Sequence, residues 1–187
     1  MYLYILSKQD MFSIMIDESG DYQECYAKLK RIMHDLYPGA EVMDMEQVLA
    51  KDGSPCDVWF EIQETADTER WKYNVNFYVL PAHGALGKYP DIKLSEIFYQ
   101  TYQWNCLIDT NYLFENMDYL DPYWAVALVN GRWYLADTAK TKLMGPYMDG
   151  NEEYAGEREV QLISPLGLSK PKEYMFDLKA LINKKAS

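Results

Sequence analysis

Asp17, Glu18 and Asp21 crowd around Gly20, and carboxylates gathered at the end of a strand are ready ligands for a hard cation such as Mg²⁺. Their order does not follow the EF-hand loop, which alternates oxygen donors ahead of its glycine. If the string is a metal centre, Asp17 and Asp21 are the ligands and the chemistry is that of a metal-dependent nuclease. A turn leading into a helix accounts for the same residues without metal. Asp21 precedes Glu24 by three positions, a helix-start arrangement with Asp in place of the usual Ser or Thr. The turn is the favoured reading, and no metal or other cofactor is expected.

His83 sits in a Pro-Ala-His-Gly loop and is the candidate general base. Paired with Cys106 it would give a thiolate nucleophile for hydrolysis or acyl transfer. Asp137 is the residue that could orient the ring, provided the three converge in one cleft. His34 falls near the carboxyl end of a predicted helix, where the dipole favours a cation. Cys25, Cys56 and Cys106 show no CxxC pairing or zinc-ligand spacing, and their odd number argues against a disulfide framework.

Charge narrows the classes of partner. The formal net charge of −11 over 187 residues excludes the basic footprint of a nucleic-acid binder and disfavours an anionic membrane surface. Between Arg31 and Arg70 the one Lys or Arg is Lys51, against ten carboxylates. From Leu94 to Gly131 there is no Lys or Arg, while five carboxylates are present. Such stretches are usually solvated surface; their sharper reading is a docking face for a basic protein. The partner-facing residues are then Asp57, Glu61, Glu64 and Asp67 from the first stretch, and Glu115, Asp118 and Asp121 from the second. No run approaches the roughly 20 apolar residues of a membrane span, and MYLYILSKQD lacks a basic leader region. The expectation is a cytoplasmic, reduced protein.

The elements that would position these residues follow from periodicity. Aromatic content of 15%, including 17 tyrosines, marks a folded chain large enough to bury a core without disulfides. Phe12, Ile14 and Ile16 alternate as a strand. Cys25, Tyr26, Leu29, Ile32, Met33 and Leu36 recur at helical spacing until Pro38-Gly39. Glu41–Leu49 reads as a strand followed by a short helix, a reading the pattern leaves undecided. Val58, Phe60 and Ile62, then Trp71, Tyr73, Val75, Phe77 and Val79, give two strands paired antiparallel. From Lys93 on, Leu94, Ile97, Phe98, Thr101, Tyr102 and Asn105 trace a less strictly apolar helical face, with Cys106 far along that helix. Val160–Ile163 suggests a short strand, Gly145–Gly156 an acidic loop, and Tyr174–Lys184 a terminal helix. The fold class is α+β: a mainly antiparallel sheet with two to three packed helices, in one domain spanning 1–187.

Tyr123–Val129 and Arg132–Asp137 flank Asn130-Gly131, the strongest short-range hairpin signal, because both residues tolerate the positive φ of a type I′ turn. Read from Pro122 to Thr138, this segment resembles the His/Asp hairpin of transglutaminase-like, papain-type enzymes. That family's pattern, H-A-W-x-x-V-x-x-x-G-x-W-Y-x-x-D-T, is matched by Trp124, Gly131, Trp133, Tyr134, Asp137 and Thr138. Its histidine position is held by Pro122, which moves no proton. The family's nucleophilic cysteine belongs at a helix amino terminus, where this sequence offers Ser95. The resemblance implies a fold related to these enzymes with its catalytic base lost.

Three functions compete. The favoured one is a non-catalytic protein that docks on a basic partner and inhibits it, in the manner of immunity proteins or phage anti-defence inhibitors. The alternatives are a degenerate cysteine hydrolase or acyl-transferase, and the metal-dependent nuclease. An enzyme should show base, nucleophile and stabiliser in plausible arrangement, and the sequence shows no such set.

Overall fold

The structure is a computed structural model that describes residues 10–51, 56–67, 69–79, 86–109, 111–115, 123–139, 141–144, 158–168 and 174–183. Its strands are β1 (Asp10–Ile16), β2 (Val42–Asp44), β3 (Val58–Glu64), β4 (Tyr73–Val79), β5 (Cys106–Ile108), β6 (Phe114–Glu115), β7 (Trp124–Val129), β8 (Arg132–Asp137), β9 (Gln161–Leu166) and β10 (Phe176–Asp177). The helices are α1 (Tyr22–Leu36), α2 (Met45–Ala50), α3 (Pro90–Tyr102) and α4 (Leu178–Asn183). Eight strands form one sheet in the order β2-β3-β4-β1-β5-β7-β8-β9, antiparallel at every junction except β2–β3. β6 and β10 make a separate parallel pair. This is the expected α+β architecture, with four helices among the described residues where two to three were predicted.

Alternation along the strands sorts the two faces of the sheet. Ile14, Ile16, Val58, Phe60, Tyr73, Val75, Phe77, Val126, Leu128, Trp133 and Leu135 point to one face and are buried there. α1 covers them with Cys25, Leu29, Ile32 and Met33, and α3 with Ile92, Leu94 and Phe98. The α1 stripe is the one its periodicity predicts, and Asp21 caps the helix by accepting from the Glu24 N–H at 2.9 Å. Glu41–Leu49 resolves as the strand followed by a short helix: β2, then α2 with a reciprocal Asp44–Gln47 capping box.

The opposite face is covered at its two ends. On one side α2 brings Val48 over Met43, Trp59 and Tyr78. Trp59 and Tyr78 stack with ring centroids 3.6 Å apart. On the other side Trp71 packs on Leu107, Ala125, Ala127 and Ala136. The three alanines on β7 and β8 leave the room that the indole fills. This placement corrects the prediction that Trp71 continues the Tyr73–Val79 face. Trp71 precedes β4 in a bend where its N–H bonds the Asp67 carbonyl at 3.0 Å, so strand alternation does not reach it.

The hairpin forms as predicted, with Asn130 at φ 50° and Gly131 at φ 74°. A β-carbon on Gly131 would lie 2.9 Å from the Tyr99 ring, so the turn is also pressed against α3. β7 lies between β5 and β8 with Ala125–Leu128 buried, the central strand that WAVALV suggested. The sheet ends in two blunt edges. β2 is three residues long, and β9 carries Pro165, which lacks the N–H an added strand would need.

Three boundaries differ from expectation. α3 begins at Pro90, before Leu94, because proline at the first helical position needs no hydrogen-bonded N–H. Cys106 therefore lies neither in that helix nor at its end, but on β5. The terminal helix is confined to Leu178–Asn183, since Phe176 and Asp177 are taken into β10. The predicted acidic loop at 145–156 lies outside the described residues.

Candidate functional site

Each acidic residue of the Asp17–Asp21 turn is spent on structure. The Asp17 carboxylate accepts from the Asn105 backbone N–H at 2.7 Å and from its side-chain amide at 2.5 Å, tying the end of β1 to the start of β5. Burial pushes its carboxyl above the usual range, although the Asn105 bonds pull the other way. Glu18 is 4% exposed and accepts from the Gly20 N–H at 2.7 Å and from Lys28 Nζ at 2.6 Å. Burial opposes its charge, but the bonds from Lys28 and Gly20, with the Lys28 charge and a bond from Trp104, hold its carboxyl below the usual range. The Lys28 ammonium lies 5.8 Å from the ring centroids of both Tyr102 and Trp104. Gly20 in turn accepts from Lys72 at 2.8 Å and from the Tyr73 hydroxyl at 3.0 Å. Asp17 and Asp21 thus serve separate parts of the scaffold, and no group of three or more potential ligands gathers among the described residues.

The thiols are equally committed. Cys25, Cys56 and Cys106 are all buried and unpaired by disulfides. Desolvation pushes Cys25 up to about 12 and Cys56 up to about 11, with nearby carboxylates adding to the rise. Cys106 is raised further by burial, despite its contact with Ser95, and its Sγ lies 3.8 Å from the Ser95 carbonyl and 3.7 Å from that of Trp104. Cys106 stands across from Leu128, which stands across from Trp133, whereas Asp137 is four residues further along β8. That places Asp137 roughly 14 Å away along the strand direction, too far for any shared proton. Asp137 instead binds Arg158 Nη2 at 2.9 Å and the Ala139 N–H at 2.8 Å. The proposed convergence of Cys106 with Asp137 is therefore corrected; His83, Pro122, Asp118 and Asp121 lie outside the described residues. Iodoacetamide at neutral pH should modify the three thiols of the native protein at least about a hundredfold more slowly than those of the denatured chain, timed by mass spectrometry. A native thiol reacting at the denatured rate would restore the thiolate mechanism.

One polar constellation was missed in the sequence. Asp91 is buried in the first turn of α3, where the Tyr112 hydroxyl reaches both carboxylate oxygens at 2.6 and 2.7 Å and the Ile92 N–H bonds Oδ1 at 2.9 Å. Burial raises the Asp91 carboxyl against these bonds, and burial together with the Asp91 charge raises the Tyr112 hydroxyl. Tyr112 also stacks on Tyr89, and Tyr89 meets the Tyr174 ring at a tilt of 57°, so the pair locks the start of α3 to the C-terminal segment. Pro90-Asp91, a proline and an acid at a helix start, was the available signal. Ser95, the expected nucleophile position, is fully buried one turn deeper.

The described carboxylates among those expected to dock a partner do not share a face. Asp67 is buried in the β3–β4 connection, a correction to its assignment as a docking residue. Asp57 accepts from the Glu41 N–H at 2.9 Å beside the β2 edge. Glu64 ends β3 on the helix-covered side by alternation, while Glu115 lies on β6. β6 reaches the sheet through β10 and α4, which packs on β9, six strands from β3 and on the order of 29 Å away.

Among the described members of this set, Glu61 alone lies on the middle of the second face, which no described helix covers. There the register aligns Glu61 with Asn76 and Asn76 with Ser13, and the next row aligns Gln63, Asn74 and Met15. Ser13 donates to Asn76 Oδ1 at 2.6 Å, Asn76 donates to Glu61 Oε2 at 3.3 Å, and Gln63 donates to Glu61 Oε1 at 2.8 Å. No donor among the described residues reaches Asn74 Oδ1. Met11, 67% exposed, and the half-buried Met15 flank the row. The result is a transverse, acceptor-rich ribbon between two aromatic shoulders.

No described helix is long and apolar enough to cross a membrane. Compared with protein-family models, curated proteins and solved structures, the chain matches none.

Proposed function

We propose that this chain is a non-catalytic interaction protein that docks a basic protein partner on the open face of its sheet and so inhibits it. The Glu61–Asn76–Ser13 ribbon carries the reading. An antiparallel sheet covered on one face needs nothing more on the other than solvated side chains. This one instead holds a cross-linked row in which two amides orient the Glu61 carboxylate, in a chain with a net charge of −11. An oriented carboxylate with spare acceptor capacity and the negative charge together suit a partner rich in cationic donors. The buried, protonated thiols and the committed Asp17, Asp91 and Asp137 side chains support binding over catalysis.

The proposal is checked by affinity capture from cell extract, with bound proteins identified by mass spectrometry. The wild type should retain a basic protein that Glu61→Lys recovers about tenfold less, while Glu115→Lys recovers it unchanged. Capture of no partner, or equal recovery by Glu61→Lys, would overturn it.

A further inference from the structure

The ribbon has a shape as well as a charge, and the shape selects among cations. Resting on the docking function proposed above, we infer that the site is built for an arginine side chain of the partner, its guanidinium over the Glu61 carboxylate and its aliphatic stem along Met11 and Met15.

Each Glu61 carboxylate oxygen receives one neutral amide donor and keeps further acceptor capacity. Asn76 Oδ1 already takes the Ser13 hydroxyl at 2.6 Å and the Asn74 amide at 3.5 Å, which leaves the two Glu61 oxygens as the open acceptors of the row. A guanidinium presents five N–H donors in a rigid planar fork, which matches such adjacent acceptors; an ammonium offers three donors around a point. Length matters as much. Methionines flank the row on β1 at the positions two before and two after Ser13, so either thioether lies beside a side chain that crosses the strands to reach Glu61. Met11 is the most exposed large apolar residue among those described, and an exposed thioether suits the adaptable packing of an arginine or lysine stem. Trp59 and Tyr78 close one side of the row, directing the incoming group along it.

The test uses an arginine tetrapeptide and a lysine tetrapeptide as probes, titrated into the full chain with ¹³C-methyl methionine spectra and calorimetry as readouts. The arginine peptide should shift the Met11 and Met15 methyls and leave Met175 in place. It should bind about fivefold more tightly than the lysine peptide. Glu61→Gln should weaken it about tenfold, while Glu64→Gln, the same loss of charge on the other side of β3, changes it less than about twofold. Unchanged circular dichroism and melting of both variants establish that the sheet is intact. Equal binding of the two peptides, equal effects of the two variants, or unmoved Met11 and Met15 signals would overturn the arginine site. Failure of these measurements, with the captured partner still lost on Glu61→Lys, sinks this inference and leaves the docking function standing; retention of the partner by Glu61→Lys sinks that function as well.

Discussion

Trp71→Ala lowers the free energy of unfolding by about 3–5 kcal/mol, and Trp71→Phe by less than about 2 kcal/mol, both read from denaturant midpoints at unchanged slope. Trp71 is 1% exposed and fills the space left by Ala125, Ala127 and Ala136 on neighbouring strands. Those alanines are short and held by the β7–β8 ladder, so they cannot close over the hole that truncation leaves. A loss of this size is a large share of the roughly 5–15 kcal/mol that stabilises a domain. Phenylalanine keeps most of the contact and removes a liability. The indole Nε1 finds no acceptor among the described residues, and a buried unpaired donor costs about 1–3 kcal/mol. Equal destabilisation by the two variants would show that the indole N–H, and not the volume, holds Trp71 in place.

Glu18→Ala costs about 2–3 kcal/mol, below the 3–5 kcal/mol typical of breaking a fully buried pair, because Lys28 is 35% exposed and turns to water when released. Glu18→Gln costs less, since its side-chain oxygen still accepts from the Gly20 N–H. The sign of the pH dependence follows from the carboxyl being held below the ordinary value of 4.5. Above 4.5 both folded and unfolded chains carry the charge and the Lys28 interaction contributes in full. As the pH falls below 4.5, the unfolded chain takes up its proton first, and the contribution is lost as the folded value is passed. Asp17 and Asp91 act in the opposite sense, losing stability as the pH rises above their ordinary 3.8 towards their raised folded values. The Asp91 effect cancels in the difference between wild type and Glu18→Gln, whereas that of Asp17, which the Glu18 charge helps to raise, cancels only in part. That difference should therefore be largest at neutral pH and shrink below 4.5. A difference independent of pH would mean that packing, and not charge, is what Glu18 supplies.

Local chemistry made the hairpin, the α1 stripe and the strand pair legible, since each repeats its signal over consecutive residues. Asn130-Gly131 needed no tertiary information, because positive φ is a property of the turn itself. Trp71 was misplaced where that locality ends: a bend of a few residues decides which face it reaches. Cys106 was read into a helix because a three-residue strand carries no periodicity of its own. It becomes β5 by lying between β1 and β7. The acidic stretches were visible as charge, yet not as geometry. Asp67, Glu61 and Glu64 are close in sequence and end buried, on the open face and at the strand end respectively. The ribbon itself is a product of register, and register between β1, β3 and β4 is set by the Phe12, Phe60 and Phe77 side of those strands.

The position of β1 has a kinetic meaning. It lies at the middle of the sheet, yet its two neighbours, β4 and β5, follow it by more than fifty residues of chain. During synthesis β1 emerges long before either partner exists, and an apolar strand face without a partner is the state most prone to off-pathway pairing. α1, which follows at once and buries the same face, can shelter it in the interval. The sheet then closes through long-range pairings, the slow route to a native topology. The half-time of refolding should accordingly track the strength of the β1–β4 seam, so that weakening Phe12 against Phe77 slows folding more than it speeds unfolding.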